Sequence, residues 1–167
     1  GQDLILTSAN NLYGEGVTQR EVEDYFNALK NPADPTPVSY GLNTKVVKGD
    51  DGKVKELQYR IGGLYSPAIE RIVDNLKKAL PYSETPEQKA SIEKLIEFYT
   101  TGDLKAFDEY SILWAGDTKP VVDFVNGFIE SYGDPSGDDR RLGIDCQLQE
   151  RRRLQAHRDD LQRGPVV

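Results

Sequence analysis

The chain has 167 residues, 37% of them hydrophobic, with 28 acidic against 21 basic side chains and a net charge of −7. No apolar run approaches the roughly 18 residues of a membrane span, no signal-peptide pattern is present, and the acidic balance gives no general positive field for a phosphate backbone. One Cys (Cys146) and one His (His157) rule out an internal disulfide framework and leave too few soft ligands for a zinc site built by these residues alone.

Composition changes near Pro135. Residues 1–135 hold every Lys and every aromatic residue and a net charge of −8, whereas residues 136–167 carry seven Arg, six acids, Cys146 and His157. There is no Met, so Gly1 is not expected to be a natural translation start, and the chain is read as a piece of a longer one. Two units follow: a body, 1–135, and an Arg-rich tail, 136–167. The sparse stripe Leu148, Leu154 and Leu161 would allow a polar helix in the tail, but one without an apolar face to hold it.

In chain order, Asn10, Asn11, Gly14 and Gly16 make a turn-rich stretch, after which Thr18-Gln19-Arg20-Glu21 is a capping box. The helix it opens places Val22, Tyr25, Phe26 and Leu29 on one face and closes at Asn31-Pro32, and Pro32, Pro35 and Pro37 stiffen the link that follows. Period-two segments at 43–48 and 53–61 flank Gly49-Asp50-Asp51-Gly52, which predicts a β-hairpin. Ser66-Pro67 predicts an N-cap and first helical residue for Ile69, Ile72, Val73, Leu76 and Leu80, up to Pro81. Thr85-Pro86-Glu87-Gln88 repeats the cap ahead of Ile92, Leu95, Ile96 and Tyr99, closed by Gly102. Asp103 opens a shorter helix with Leu104, Phe107, Ser111 and Trp114, and Asp117-Thr118-Lys119-Pro120 is read as the start of a last one through Val121, Val122, Phe124, Val125, Phe128 and Ile129. The sum is α+β, mostly helical with one β-hairpin.

Common catalytic templates are absent: no His-Glu-x-x-His, no Cys pair, no phosphate loop, no Gly-x-Ser-x-Gly. Paired carboxylates such as Glu21 with Glu23 and Glu93 with Glu97 read as solvated helix faces. Glu130 and Tyr132, two residues apart ahead of Gly133-Asp134-Pro135, stand out: a carboxylate can hold a ligand's ammonium group and a phenol can donate to a developing oxyanion. On chemistry alone an ordinary helix end with a surface Glu and a half-buried Tyr remains the plainer alternative.

Ile112-Leu113-Trp114, Asp117, Pro120-Val121-Val122, Gly127-Phe128-Ile129-Glu130-Ser131-Tyr132 and Asp134-Pro135 resemble the characteristic segment of the dipeptidyl-peptidase III family, the M49 zinc metallopeptidases. Leu64-Tyr65-Ser66-Pro67-Ala68-Ile69 and the strand Val54 to Ile61 are similar to parts of the family that precede it. The resemblance implies an exopeptidase that releases dipeptides from the N-termini of oligopeptides. It also implies two lobes about a cleft, with zinc held in a helical upper lobe by His-Glu-x-x-Gly-His and a later glutamate. This segment would belong to the lower lobe, with Glu130 binding the substrate's amino group and Tyr132 stabilising the tetrahedral intermediate. Its partners would be the oligopeptide and the zinc-binding lobe of the same protein, and neither nucleic acid nor membrane.

Neither zinc motif occurs in the 167 residues, so zinc is expected in the complete parent enzyme and not in this chain, which is expected to be inactive alone. The tail reads as an aberrant, out-of-frame translation. With permitted codons for Leu142 to Gln149, reading one nucleotide later gives Trp-Glu-Ser-Ile-Val-Asn-Phe, similar to the family's continuation after Asp-Pro. On that reading Cys146 and His157 have no function and the tail is poorly ordered or only adventitiously helical. The cytoplasm is the expected compartment, and any export signal would have to precede Gly1. The rival reading is a non-catalytic module whose acidic helical surface binds a partner protein.

Overall fold

The computed structural model describes residues 2–8, 12–130 and 141–148, and of residues 125, 127–130 and 141–148 the backbone alone. A short helix, α1 (Leu4–Thr7), opens the chain, capped by Asp3, whose carboxylate accepts from the Ile5 and Leu6 amides. The other Asp3 oxygen accepts from Gln19 N at 2.9 Å and so ties α1 to the start of α2 (Gln19–Leu29). The capping box of α2 is present as expected: Glu21 N donates to Thr18 Oγ1, and Thr18 N donates to Glu21 Oε2 at 2.9 Å. Of its predicted apolar face Val22 and Phe26 are buried, while Leu29 is left exposed at the helix end.

The expected hairpin forms from β1 (Thr44–Lys48) and β2 (Val54–Gln58), antiparallel with Val46 opposite Glu56. Buried Val46 also receives Tyr13 as a parallel bridge: Gly14 N donates to Val46 O at 2.7 Å and Val46 N to Leu12 O at 3.0 Å. β2 ends before Tyr59 because the chain doubles back, with Leu64 N donating to Gln58 O at 2.8 Å. A Cβ on Gly63 would stand 2.3 Å from that carbonyl oxygen, so the approach requires glycine.

The α3 helix (Ser66–Ala79) starts one residue earlier than expected. Its N-cap is Tyr65 in the left-handed conformation at φ 54°, its ring stacked on Tyr59 at 5.6 Å, and Ser66 Oγ accepts from Gly62 N instead of capping the helix. Pro81 lies in a single 3-10 turn, Leu80–Tyr82. Next come α4 (Pro86–Thr101), capped by Thr85 and closed by Gly102, and α5 (Leu104–Gly116), capped by Asp103, all as the sequence predicts. The two helices pack side by side, Phe98 meeting Phe107 at 5.0 Å between ring centres, with Lys94 of α4 paired to Glu109 of α5 at 2.7 Å.

The expected last helix is a strand, β3 (Val122–Glu130). Asp117 does not start a helix; it is the C-cap residue of α5, and its carboxylate accepts from Lys119 N and Thr85 Oγ1. Val122, Val125 and Ile129 are β-branched and Phe124 and Phe128 aromatic, side chains that lose rotamer freedom in a helix and suit a pleated surface. β3 pairs antiparallel with β4 (Arg141–Leu148), which lies beyond Pro135. Over 141–148 the expectation of a disordered or helical tail is therefore corrected to strand, whereas Leu154, His157 and Leu161 lie outside the described residues. Cys146 stands in β4 opposite Phe124.

Among the described residues the fold is thus α+β with two antiparallel strand pairs, β1–β2 and β3–β4, instead of the one expected. Buried side chains of the described residues form two clusters: Ile5, Leu12, Tyr13, Val17, Val22, Phe26 and Val46 on the N-terminal side, and a larger one from Leu42, α3, α4 and α5 that includes Ile69, Leu95, Phe98, Phe107 and Tyr110. The β1–β2 hairpin spans the junction, with Val46 and Val54 in the first cluster and Tyr59 and Ile61, just beyond β2, against the second.

Candidate active-site strand

Site chemistry was expected at the end of β3, and the α4–α5 pair reaches that strand from its start. The Glu84 carboxylate accepts from Val121 N at 3.0 Å and Val122 N at 2.9 Å. Gln88 serves two partners: its Oε1 accepts from Glu84 N and its Nε2 donates to Val122 O, both at 2.8 Å. Trp114 Nε1 donates to Phe124 O at 2.8 Å and lies 3.1 Å from Asp123 Oδ1. At Asn126, 7% exposed, Tyr99 OH donates to the side-chain oxygen at 3.0 Å and Tyr110 OH to the main-chain oxygen at 3.3 Å.

Burial disfavours phenolate here, pushing Tyr99 up to about 12 and Tyr110 up as well, so both hydroxyls are donors at neutral pH. Asn126 Nδ2 is buried without a hydrogen-bond partner. Below the start of the strand an apolar groove of about 660 Å³ is lined by Leu76, Tyr82, Ile92, Tyr99 and Phe124 among others.

Of the two expected site residues, Glu130 is the last residue of β3, in register with Arg141 across a shift in the ladder between Phe128 and Glu130. Its side chain, and all of Tyr132, lie outside the described residues. Among the described residues no group of three His, Cys, Asp or Glu could hold a metal ion, so these side chains do not fit the zinc that the family resemblance implies. No helix among them is long and apolar enough to cross a membrane. Sequence reasoning missed Glu84, Gln88, Tyr99 and Tyr110 as partners of this strand. The signal available was Asn126, which with Asp123 is one of two polar side chains inside the largely apolar run 121–129.

The backbone resembles dipeptidyl-peptidase III from Corallococcus sp. strain EGB with a TM-score of 0.64 at 21% identity, over 87% of this chain and 26% of that one. It also resembles DPP III from Caldithrix abyssi with a TM-score of 0.62 at 20% identity, over 92% and 29%. Those likenesses show the fold alone, that of a segment of about a quarter of each of those chains. In sequence, the Peptidase family M49 pattern matches residues 39–140. Dipeptidyl peptidase 3 of Homo sapiens is 37% identical over 124 residues, 74% of this chain and 16% of that protein. The Rattus norvegicus protein of the same name is 36% identical over 75 residues, 45% of this chain and 10% of its own length. The chain belongs to peptidase family M49, and it spans between 10% and 16% of the length of these curated relatives.

Proposed function

We propose that these residues are part of a zinc-dependent enzyme that releases dipeptides from the N-termini of oligopeptides, with Glu130 holding the substrate's ammonium group and Tyr132 donating to the oxyanion of the tetrahedral intermediate. The observation that carries the reading is the M49 match over residues 39–140, which runs through both. The chemistry agrees. A carboxylate that pairs with a free terminal ammonium fixes where the chain is cut by measuring from its end, and a phenol aimed at the carbonyl oxygen strengthens its hydrogen bond as negative charge develops there. The metal belongs, on this reading, to the remainder of the polypeptide, which with the oligopeptide is the partner of this segment. A cytoplasmic setting goes with the single Cys.

The test is kinetic, in the complete polypeptide that carries this segment. Tyr132→Phe should lower kcat by about 10²–10³ with KM little changed, the usual effect of losing one oxyanion donor. Glu130→Ala should raise KM about ten-fold or more for peptides with a free N-terminus, as loss of a charge-assisted pair does, and leave poor turnover of N-acetylated peptides as it was. Wild-type rates in both variants would remove the reading and leave a protein-binding module.

A further inference from the structure

Successive main-chain groups of a strand point to opposite edges, so residues of one parity share an edge. In β3 the even residues Val122, Phe124 and Asn126 have their carbonyls taken by Gln88 Nε2 at 2.8 Å, Trp114 Nε1 at 2.8 Å and Tyr110 OH at 3.3 Å, one after another. Three side chains from two helices thus stand where a neighbouring strand would stand, while β4 pairs along the other edge. Glu84 secures the amides at the start and Tyr99 the Asn126 side chain. The β3–β4 register is regular from Val122 to Phe128 and shifts only beyond the anchored carbonyls.

A slip of one residue would invert every side chain of the strand, and the three donors, set at fixed heights on packed helices, prevent it. We propose that Gln88, Trp114 and Tyr110 are positioning residues for Glu130: their donors hold the carbonyl edge of β3 at fixed register and thereby set where the strand delivers Glu130. The proposal rests on the reading of Glu130 as the amino-group anchor.

Tyr110→Phe removes one donor and keeps the bulk; Gln88→Met also keeps the bulk but removes both the donor to Val122 O and the acceptor of Glu84 N. In the complete polypeptide Tyr110→Phe should raise KM for peptides with a free N-terminus by about five-fold, the worth of a single hydrogen bond, and Gln88→Met by at least as much, with a smaller change in kcat and less than additive effects on a Glu130→Ala background. In the 167-residue chain, amide hydrogen exchange should quicken through residues 127–130, beyond the site of the lost bond. A lower melting temperature with wild-type KM, and faster exchange confined to residues 121–124, would overturn the proposal and make these residues stabilisers only. Should Tyr110→Phe fail to fold, Gln88→Met at the outer end carries the same expectations. If Glu130→Ala leaves KM unchanged, the anchor reading itself fails and the proposal falls with it. That result is recognisable because exchange at 127–130 would still respond to Gln88→Met.

Discussion

Tyr99 and Tyr110 carry two loads, filling the larger core with their rings and holding Asn126 with their hydroxyls. Burial raises the folded-state pKa of both above the ordinary phenol value near 10. A raised acid group stabilises the fold fully below its unfolded pKa, and that contribution is lost as pH climbs through 10 toward 12. In an alkaline absorbance titration of the nine tyrosines, the last phenolates should appear only as the helical circular dichroism collapses. Titration of all nine near pH 10 with the helices intact would contradict the burial described. Asn126 shows how far residue types alone lead: a polar side chain between Val125 and Gly127 in a largely apolar run announces a specific partner. Its partners sit 16 and 27 positions earlier in sequence and could not be named without the fold.

Elements whose limits are set by neighbouring residues were legible. The Thr18–Glu21 box, the Thr85 cap, the Gly102 closure and the Gly49–Gly52 turn are all local contests between backbone and side chain, and each came out as the residues indicate. The segment 121–129 is the counter-example, because its near-continuous apolar run fits a buried helix and a buried strand equally. Donors from α4 and α5 and pairing with β4 decide for strand, and all of these are remote in sequence. The start of α2 offers a test at this scale. Glu21 caps the helix and reaches Lys48 of β1 at 2.9 Å, and its carboxyl is held down to about 2 by the Lys48 ammonium and by hydrogen bonds from Thr18. A depressed acid stabilises the fold above its unfolded pKa near 4.5 and ceases to do so as pH falls toward 2. Denaturant melts of the chain and of Glu21→Gln should therefore differ most near neutrality and converge in acid. A gap that widened on acidification would contradict the pairing.

Across the whole molecule, the chain spans 10–16% of the length of its relatives, and the proposed function gives it a supporting part in a larger catalyst. Purified alone with added zinc, it should retain well under one equivalent after dialysis, by elemental analysis, and release no dipeptide from a dipeptidyl arylamide, because one His and one Cys leave too few nitrogen and sulfur ligands and no three His, Cys, Asp or Glu among the described residues are grouped to hold a metal. Stoichiometric zinc or turnover would overturn that division of labour. The two buried clusters have a further consequence. The side chains described as gripping β3 come from residues 84–114, all beside the larger cluster, whereas α1 and α2 bear on the smaller one. The hairpin between them acts as a coupling in series: a push on α2 passes through β1 and β2, then the α3–α5 bundle, before it loads β3. Drift or redesign over the first 38 residues is thereby insulated from the strand, and this end of the chain is where a tag or label would be least felt at Glu130.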